Sequence, residues 1–413
     1  MNLPMRHYQM ETCDFILQRN RSVVLDDMGL GKTRSIIEAI LELKLNKVLW
    51  ITKANLKTQA VREWDKWTRD RPAEEVSKIE GLKGAGVKVV SYQFCQNQKN
   101  VEAITTAGFK TVVIDECAFV SNWEGITTKN VILKIATKIP RAIMVTATPY
   151  KKSALEIHPM LSLMEPGKWG TAGDFARLYC LQVNDPYDPR GWSWGGVRAD
   201  NAEVLADALR RVGIRHTREQ AEAELPRANE YEIFLNNPNP DVKKYDEEGI
   251  LIKEKTAMSA WQKAGKEKIE PIMDWISDAG ICPTIVYCWF KDTAEIYLNK
   301  LQSLGYRVGI VSGDYTLAER QAVVDKLQGG ELDYIVGTIE SMSEGHNIDR
   351  CKRIIFAEGT WTNSVMNQAK ARAIRMTTLH AVDVVYFWLS ESIDKAIRNL
   401  LNRREVETGL LGL

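Results

Sequence analysis

The stretch Asp26-Asp27-Met28-Gly29-Leu30-Gly31-Lys32-Thr33 constrains this chain more than any other. Gly29 and Gly31 followed by Lys32 and Thr33 fit the phosphate-binding loop pattern, in which small residues let the backbone close around phosphates with its N–H groups inward. An apolar run, residues 22–25, precedes the loop, and Ile36, Ile37, Ile40 and Leu41 follow it at helical spacing, so the order is strand, loop, helix. A helix starting there points the positive end of its dipole at the phosphates, Lys32 adds a full charge, and the Thr33 hydroxyl is placed to hold a magnesium ion. A plain glycine turn would explain the glycines but not Lys32 and Thr33 after them.

A chain of 413 residues exceeds what one hydrophobic core usually holds, so two domains are expected. Its 45% hydrophobic content suits a soluble globular protein. No stretch is apolar enough to span a membrane, and MNLPMRHYQM has no signal-peptide core, which predicts a protein that stays in the compartment where it is made. The seven cysteines form no CxxC pair, which argues against a zinc site or a disulfide framework. With 55 basic and 54 acidic residues, net +1, a nucleic-acid partner is not announced by total charge; a basic track on one face would suffice.

Along the chain, residues 47–52 and 87–91 read as buried strands. Residues 111–116, TVVIDE, deliver two adjacent acids to the carboxyl end of another strand, where open α/β sheets bind ligands. Asp115 there would hold magnesium, and Glu116 would orient or deprotonate an attacking water. A further strand ends in Thr146-Ala147-Thr148-Pro149, a pattern that also fits a simple Thr/Pro-capped turn. From 153 to about 225 the pattern turns to helices and irregular loops, with residues 184–198 read as an ordered loop whose Trp192 and Trp194 either cover apolar surface or meet DNA. Arg210, Arg211, Arg215 and Arg218 make the best local basic patch, equally the pattern of a solvated helix face. Beyond 229 a second alternation begins: strand 231–235, charged amphipathic helix over 241–275, then strands and helices in turn up to 328.

The string DDMGLGKT resembles motif I of the Swi/Snf-like ATPases, the double-stranded-DNA translocases within helicase superfamily two, and the resemblance extends in order over almost the whole chain. It implies an adenine contact from Arg6, Tyr8 and Gln9, a glutamine amide being able to donate and accept at once. It also implies nucleotide contacts from Met28, Gly29, Leu30, Gly31, Lys32 and Thr33, with Thr33 and Asp115 on the metal. Thr52, Lys53 and Asn55 fall where motif Ia touches the DNA backbone, and Ser91, Ser312, Gly313, Arg320 and Thr338 match other elements near the phosphates. Cys117 and Ala118 stand where the family has Ala-His, so the coupling role of that fourth residue has no polar side chain here. Residues 333–349 resemble motif V, with Gly345 and Asn347 retained near the ribose but Met342 and Ser343 in place of glycines. Residues 368–375, QAKARAIR, resemble motif VI: Gln368, Arg372 and Arg375 are its catalytic positions, and the spacing of the two arginines predicts that they share one helix face.

The resemblance implies an α/β fold of two RecA-like lobes with mostly parallel sheets and a helical protrusion on the first lobe. The expected division is 1–152, the first lobe; 153–228, protrusion and linker; and 229–413, the second lobe. The expected function is an ATP- and Mg2+-dependent, nucleic-acid-stimulated motor on double-stranded DNA, including branched or forked DNA, without sequence preference. A strand-separating helicase of DNA or RNA, and a non-translocating ATP switch that binds a protein, are the rival readings. The chain ends soon after the last motif, which leads us to expect a minimal motor, monomeric, without a membrane partner, and cytoplasmic in a bacterium or in a virus-infected host.

Overall fold

Runs of β-branched residues build the framework, because such side chains suit strands that are covered on both faces. The computed structural model describes residues 4–68, 71–150, 153–184, 190–221, 227–240, 254–342, 348–375, 378 and 380–411. The chain forms two units, Met1–Ala221 with Val406–Leu413, and Glu222–Glu405.

In the first unit the strands are β1 (Arg21–Val24), β2 (Lys47–Thr52), β3 (Ala73–Glu75), β4 (Gly86–Ser91), β5 (Thr111–Asp115), β6 (Arg141–Val145) and β9 (Gly213–Ile214). They lie in the order β3-β4-β2-β5-β6-β1-β9, and every pairing is parallel. Parallel pairing puts all the carboxyl ends on one edge, which gathers the loops after β1, β5, β6 and β9 there. One face of the sheet packs on α1 (His7–Leu17) and α2 (Lys32–Glu42) through Ile16, Ile36, Ile40 and Val113. The other face carries Leu49, Ile114, Val131 and Ile135, together with helices of the 153–212 segment through Leu161, Phe175 and Leu205.

Two features of that segment depart from expectation. Within the stretch 184–198 expected as a loop, Trp192–Gly195 is a strand, β8, that pairs antiparallel with β7 (Leu181–Asn184), the W-S-W-G alternation suiting a strand; residues 185–189 lie outside the described residues. Trp192 and Trp194 meet edge to face at 5.0 Å and are half-buried. The second feature is β9, which returns to the sheet beside β1 after the helix Ala199–Val212; only two residues long, it has no readable period.

The second unit has β10 (Ala228–Leu235), β11 (Thr284–Cys288), β12 (Val308–Val311), β13 (Tyr334–Thr338), β14 (Arg353–Phe356) and β15 (Val382–Leu389). They lie in the order β10-β15-β14-β11-β13-β12, again all parallel. Of the amphipathic stretch 241–275, the described part forms the helices Glu254–Glu267 and Ile269–Asp278; residues 241–253 lie outside the described residues. Three buried ionisable groups have dedicated partners: Lys268 Nζ donates to Asp394 Oδ2 at 2.7 Å, and Glu358 Oε2 accepts from the Trp289 and Phe290 N–H groups. Gly265 is required by that carboxylate, since a Cβ there would collide with Glu358 Oε1. Among the described residues no helix is long and apolar enough to cross a membrane.

Candidate active site

The loop after β1 turns on Gly29 and Gly31, whose φ values of 85° and 77° lie in the left-handed region that a side chain disfavours. The second of these precedes α2, so Lys32 and Thr33 are the helix's first two residues. Lys32 is held at the sheet's carboxyl edge: its Nζ donates to the carbonyls of Asp26 (2.8 Å) and Asp27 (3.1 Å). Burial lowers its pKa, while the carboxylates of Glu116, Asp26, Asp27 and Asp115 act in the opposite direction.

β5 places Asp115 at its last position, two strands from β1 across β6. The Asp115 carboxylate accepts from Thr52 Oγ1 at 3.2 Å, Trp50 Nε1 approaches the same oxygen at 3.4 Å, and Tyr92 donates its phenol to the Asp115 carbonyl at 2.6 Å. Burial, and then the neighbouring Glu116, push the Asp115 carboxyl up to about 6. Glu116 itself sits in the left-handed region, φ 53° and ψ 50°, a conformation costly for a residue with a Cβ. Cys117 is buried beside them with its thiol pushed far up by desolvation, so at neutral pH it is an inert neutral side chain.

These donors fit a magnesium nucleotide. A hydroxyl and a carboxylate are hard oxygen ligands of the kind Mg2+ takes while keeping phosphate and water in its remaining positions. Among the described residues there is no group of three or more His, Cys, Asp or Glu that forms a closed protein cage for a metal.

Tyr8 and Gln9 lie on the buried face of α1. Gln9 Nε2 donates to the Leu30 carbonyl at 3.0 Å, and Gln9 Oε1 accepts from the Arg6 N–H at 3.0 Å. Its amide thus ties the chain's start to the phosphate loop.

Several of the residues expected to contact DNA are engaged within the protein. Thr52 is fully buried and spends its hydroxyl on Asp115, leaving no surface for a phosphate. Ser312 and Thr338 are buried too, and Thr338 donates to Ser341 Oγ at 2.8 Å. Ser91 Oγ accepts from the Phe94 N–H at 3.1 Å, capping a turn. Lys53, Asn55 and Arg320 are half-exposed, and Gly313 is exposed. Gly345 and Asn347 lie outside the described residues.

The expectation of a shared helix face for the motif VI arginines is corrected. Gln368 is on the helix Asn363–Lys370, but that helix stops before Arg372 and Arg375, which occupy the turns after it and share no helix face. Ala373 and Ile374 plunge into the second unit's core, and Thr378 ties the bend by donating to the Ala373 carbonyl (2.7 Å) and accepting from the Arg375 N–H (3.3 Å).

Sequence reasoning passed over a cluster behind the phosphate loop. Asp26, Thr12 and His216 are nearly buried polar residues, and Asp26 accepts from Thr12 Oγ1 and from the His216 N–H, each at 2.8 Å. A threonine on the apolar face of α1 and an aspartate closing an apolar strand were the available signals.

The SNF2-related domain model matches residues 8–279, and the helicase conserved C-terminal domain model matches residues 267–377. Across 97% of its length the chain is 24% identical to the DNA annealing helicase and endonuclease ZRANB3 of Bos taurus. Across 98% it is 21% identical to the SWI/SNF-related matrix-associated actin-dependent regulator of chromatin subfamily A-like protein 1 of Xenopus tropicalis. The chain spans 40% and 45% of the lengths of those relatives. Among solved structures, the Sulfolobus solfataricus SWI2/SNF2 ATPase core in complex with dsDNA aligns over 94% of this chain and 88% of its own, with a TM-score of 0.48 and 16% identity.

Proposed function

The chain belongs to the SNF2-related family, as a nucleic-acid-stimulated ATPase of helicase superfamily two, and from that premise we propose that it is a motor that tracks along double-stranded DNA without reading its sequence. The work done is remodelling of DNA, branched or forked DNA included, or displacement of bound protein. The observation that supports this reading is the match of residues 8–279 to the SNF2-related domain model, with Lys32 after β1 and Asp115 and Glu116 at the end of β5 in the same parallel sheet.

Bound magnesium and ATP supply the reacting phosphoanhydride and the charge that polarises it. Lys32 keeps one N–H for the β- and γ-phosphates after its two carbonyl contacts. Thr33 and ionised Asp115 hold the metal, and Glu116 orients the attacking water and takes its proton. Gln368, Arg372 and Arg375, at the motif VI positions of the second unit, serve the transition state of hydrolysis. Lys53, Asn55, Gly313 and Arg320 contact backbone phosphates, which accounts for the absence of sequence preference. Thr52, Ser312 and Thr338 act behind that surface rather than on it. The protein works as a cytoplasmic monomer.

Hydrolysis rates without nucleic acid and with single-stranded DNA, duplex DNA or RNA test the proposal. The largest stimulation is expected from duplex DNA. Preferential stimulation by single strands or RNA would favour a strand-separating helicase, and no stimulation by any nucleic acid would favour a protein-binding switch.

A further inference from the structure

The segment after β9, residues 215–218, is fastened to the loop after β1 by backbone and side chains together. Leu25 N–H donates to the Ile214 carbonyl (2.8 Å) and Asp27 N–H to the His216 carbonyl (2.9 Å), which extends the β1–β9 pairing past the strand ends. The Asp27 carboxylate accepts from Arg215 Nη2 (3.2 Å) and from the Arg218 N–H (3.0 Å). His216 sits between two carboxylates: Nδ1 lies 2.8 Å from Asp26 Oδ1, and Nε2 lies 2.8 Å from Glu11 Oε2. A neutral imidazole has a single N–H and would turn a lone pair on one of the two carboxylates, whereas an imidazolium donates to both. Also facing it from α1 are the hydroxyl of Thr12 and the ring of Tyr8 at 5.9 Å; His7 lies 3.2 Å from the far side of Glu11.

The two residues fastened in this way, Asp26 and Asp27, are those whose carbonyls hold the Lys32 ammonium. We propose that His216, as an imidazolium bridging Asp26 and Glu11, is a positioning residue for the nucleotide site, fixing the backbone that aims Lys32 at the phosphates. The inference rests on the reading of residues 26–33 as that site. Burial alone would push the His216 pKa down, but the Asp26 and Glu11 carboxylates outweigh it and raise it, in keeping with the geometry. Nucleotide affinity then weakens at alkaline pH, where the bridge loses one of its two donors.

The test is binding of a fluorescent ATP analogue with magnesium to the full chain at pH 6.5 and 8.5, with melting curves alongside. Wild-type affinity should fall about threefold to tenfold between the two values, the scale of one hydrogen bond. His216→Ala should bind about tenfold more weakly than wild type at pH 6.5. His216→Asn, whose amide N–H can reach Asp26, should recover most of the loss. Glu11→Gln should flatten the pH response, because its amide can donate to a neutral ring. Wild-type affinity in His216→Ala, or an unchanged pH response in Glu11→Gln, overturns the proposal, and the second result decides if the alanine variant does not fold. A loss in His216→Ala that His216→Asn fails to recover, tracking a lowered melting temperature, also overturns it, since that is a merely structural effect. Undiminished binding by Lys32→Ala would instead remove the nucleotide site itself.

Discussion

Thr52 gives its hydroxyl to Asp115 Oδ2 at 3.2 Å from the neighbouring strand, so a residue that the family resemblance places on DNA supports the carboxylate at the end of β5. Thr52→Val keeps the shape and removes the donor. Removing a partner that orients a metal ligand typically weakens metal binding by about 10- to 100-fold, and the low end is expected because Trp50 remains near the same oxygen. Half-saturating magnesium in the ATPase assay should rise about tenfold, with turnover at saturating magnesium within about twofold of wild type.

Acidification should act on Asp115 in two opposite ways. Its carboxyl is raised from 3.8 to about 6 by burial and then by Glu116, so in the metal-free protein its contribution to stability is fully present below 3.8 and lost as pH rises through about 6. Metal-free Asp115→Asn should therefore melt above wild type at pH 7.5, with the gap closing towards pH 4. Magnesium needs the ionised form, so the rise in melting temperature produced by magnesium and ADP should shrink in wild type between pH 7.5 and pH 5. Melting curves of both proteins at these pH values, with and without the ligand, check both statements.

Much of this site was legible because its chemistry is local. Gly29, Gly31, Lys32 and Thr33 are consecutive or nearly so, and the β-branched run before Asp115 announces both the strand and the acid at its end. Strands such as β2, β4, β5, β11 and β13 were legible for the same reason, each being a short apolar run, whereas β3 and β9 are too short to show a period. What stayed hidden depends on distant pairing. His216 meets Asp26 across 190 residues, and no period in either segment records that contact. Arg372 and Arg375 have helical spacing, yet the burial of Ala373 and Ile374 bends the chain away from the helix, a tertiary effect that spacing cannot express.

Lys32→Ala should abolish hydrolysis by removing the charge on the β- and γ-phosphates, whereas Glu116→Gln should bind ATP and stall before chemistry. Duplex binding should survive in both, and should weaken as salt rises despite the net charge of +1, because phosphate contacts release counterions. Turnover, nucleotide binding and duplex binding at two salt concentrations separate these effects. Wild-type turnover in Glu116→Gln would remove its catalytic role.

Arg372→Ala and Arg375→Ala should leave ATP affinity within a few-fold of wild type and cut duplex-stimulated turnover by at least about 10²-fold, since groups that engage only the transition state change rate and not binding. Lysine should not restore activity at either position, because one ammonium cannot reproduce the planar fork of a guanidinium. Turnover and nucleotide affinity with saturating duplex give the answer; near-normal rates in both single variants and the double variant would exclude the second unit from catalysis.

Displacement of the third strand from a DNA triplex tests the central claim most directly, because it reports movement along a duplex whose own strands stay paired. With ATP and magnesium the full chain should release the third strand, and Glu116→Gln should release none. Contradiction would come from duplex-stimulated hydrolysis with no release, or from a protein that opens forked duplexes but leaves the triplex intact.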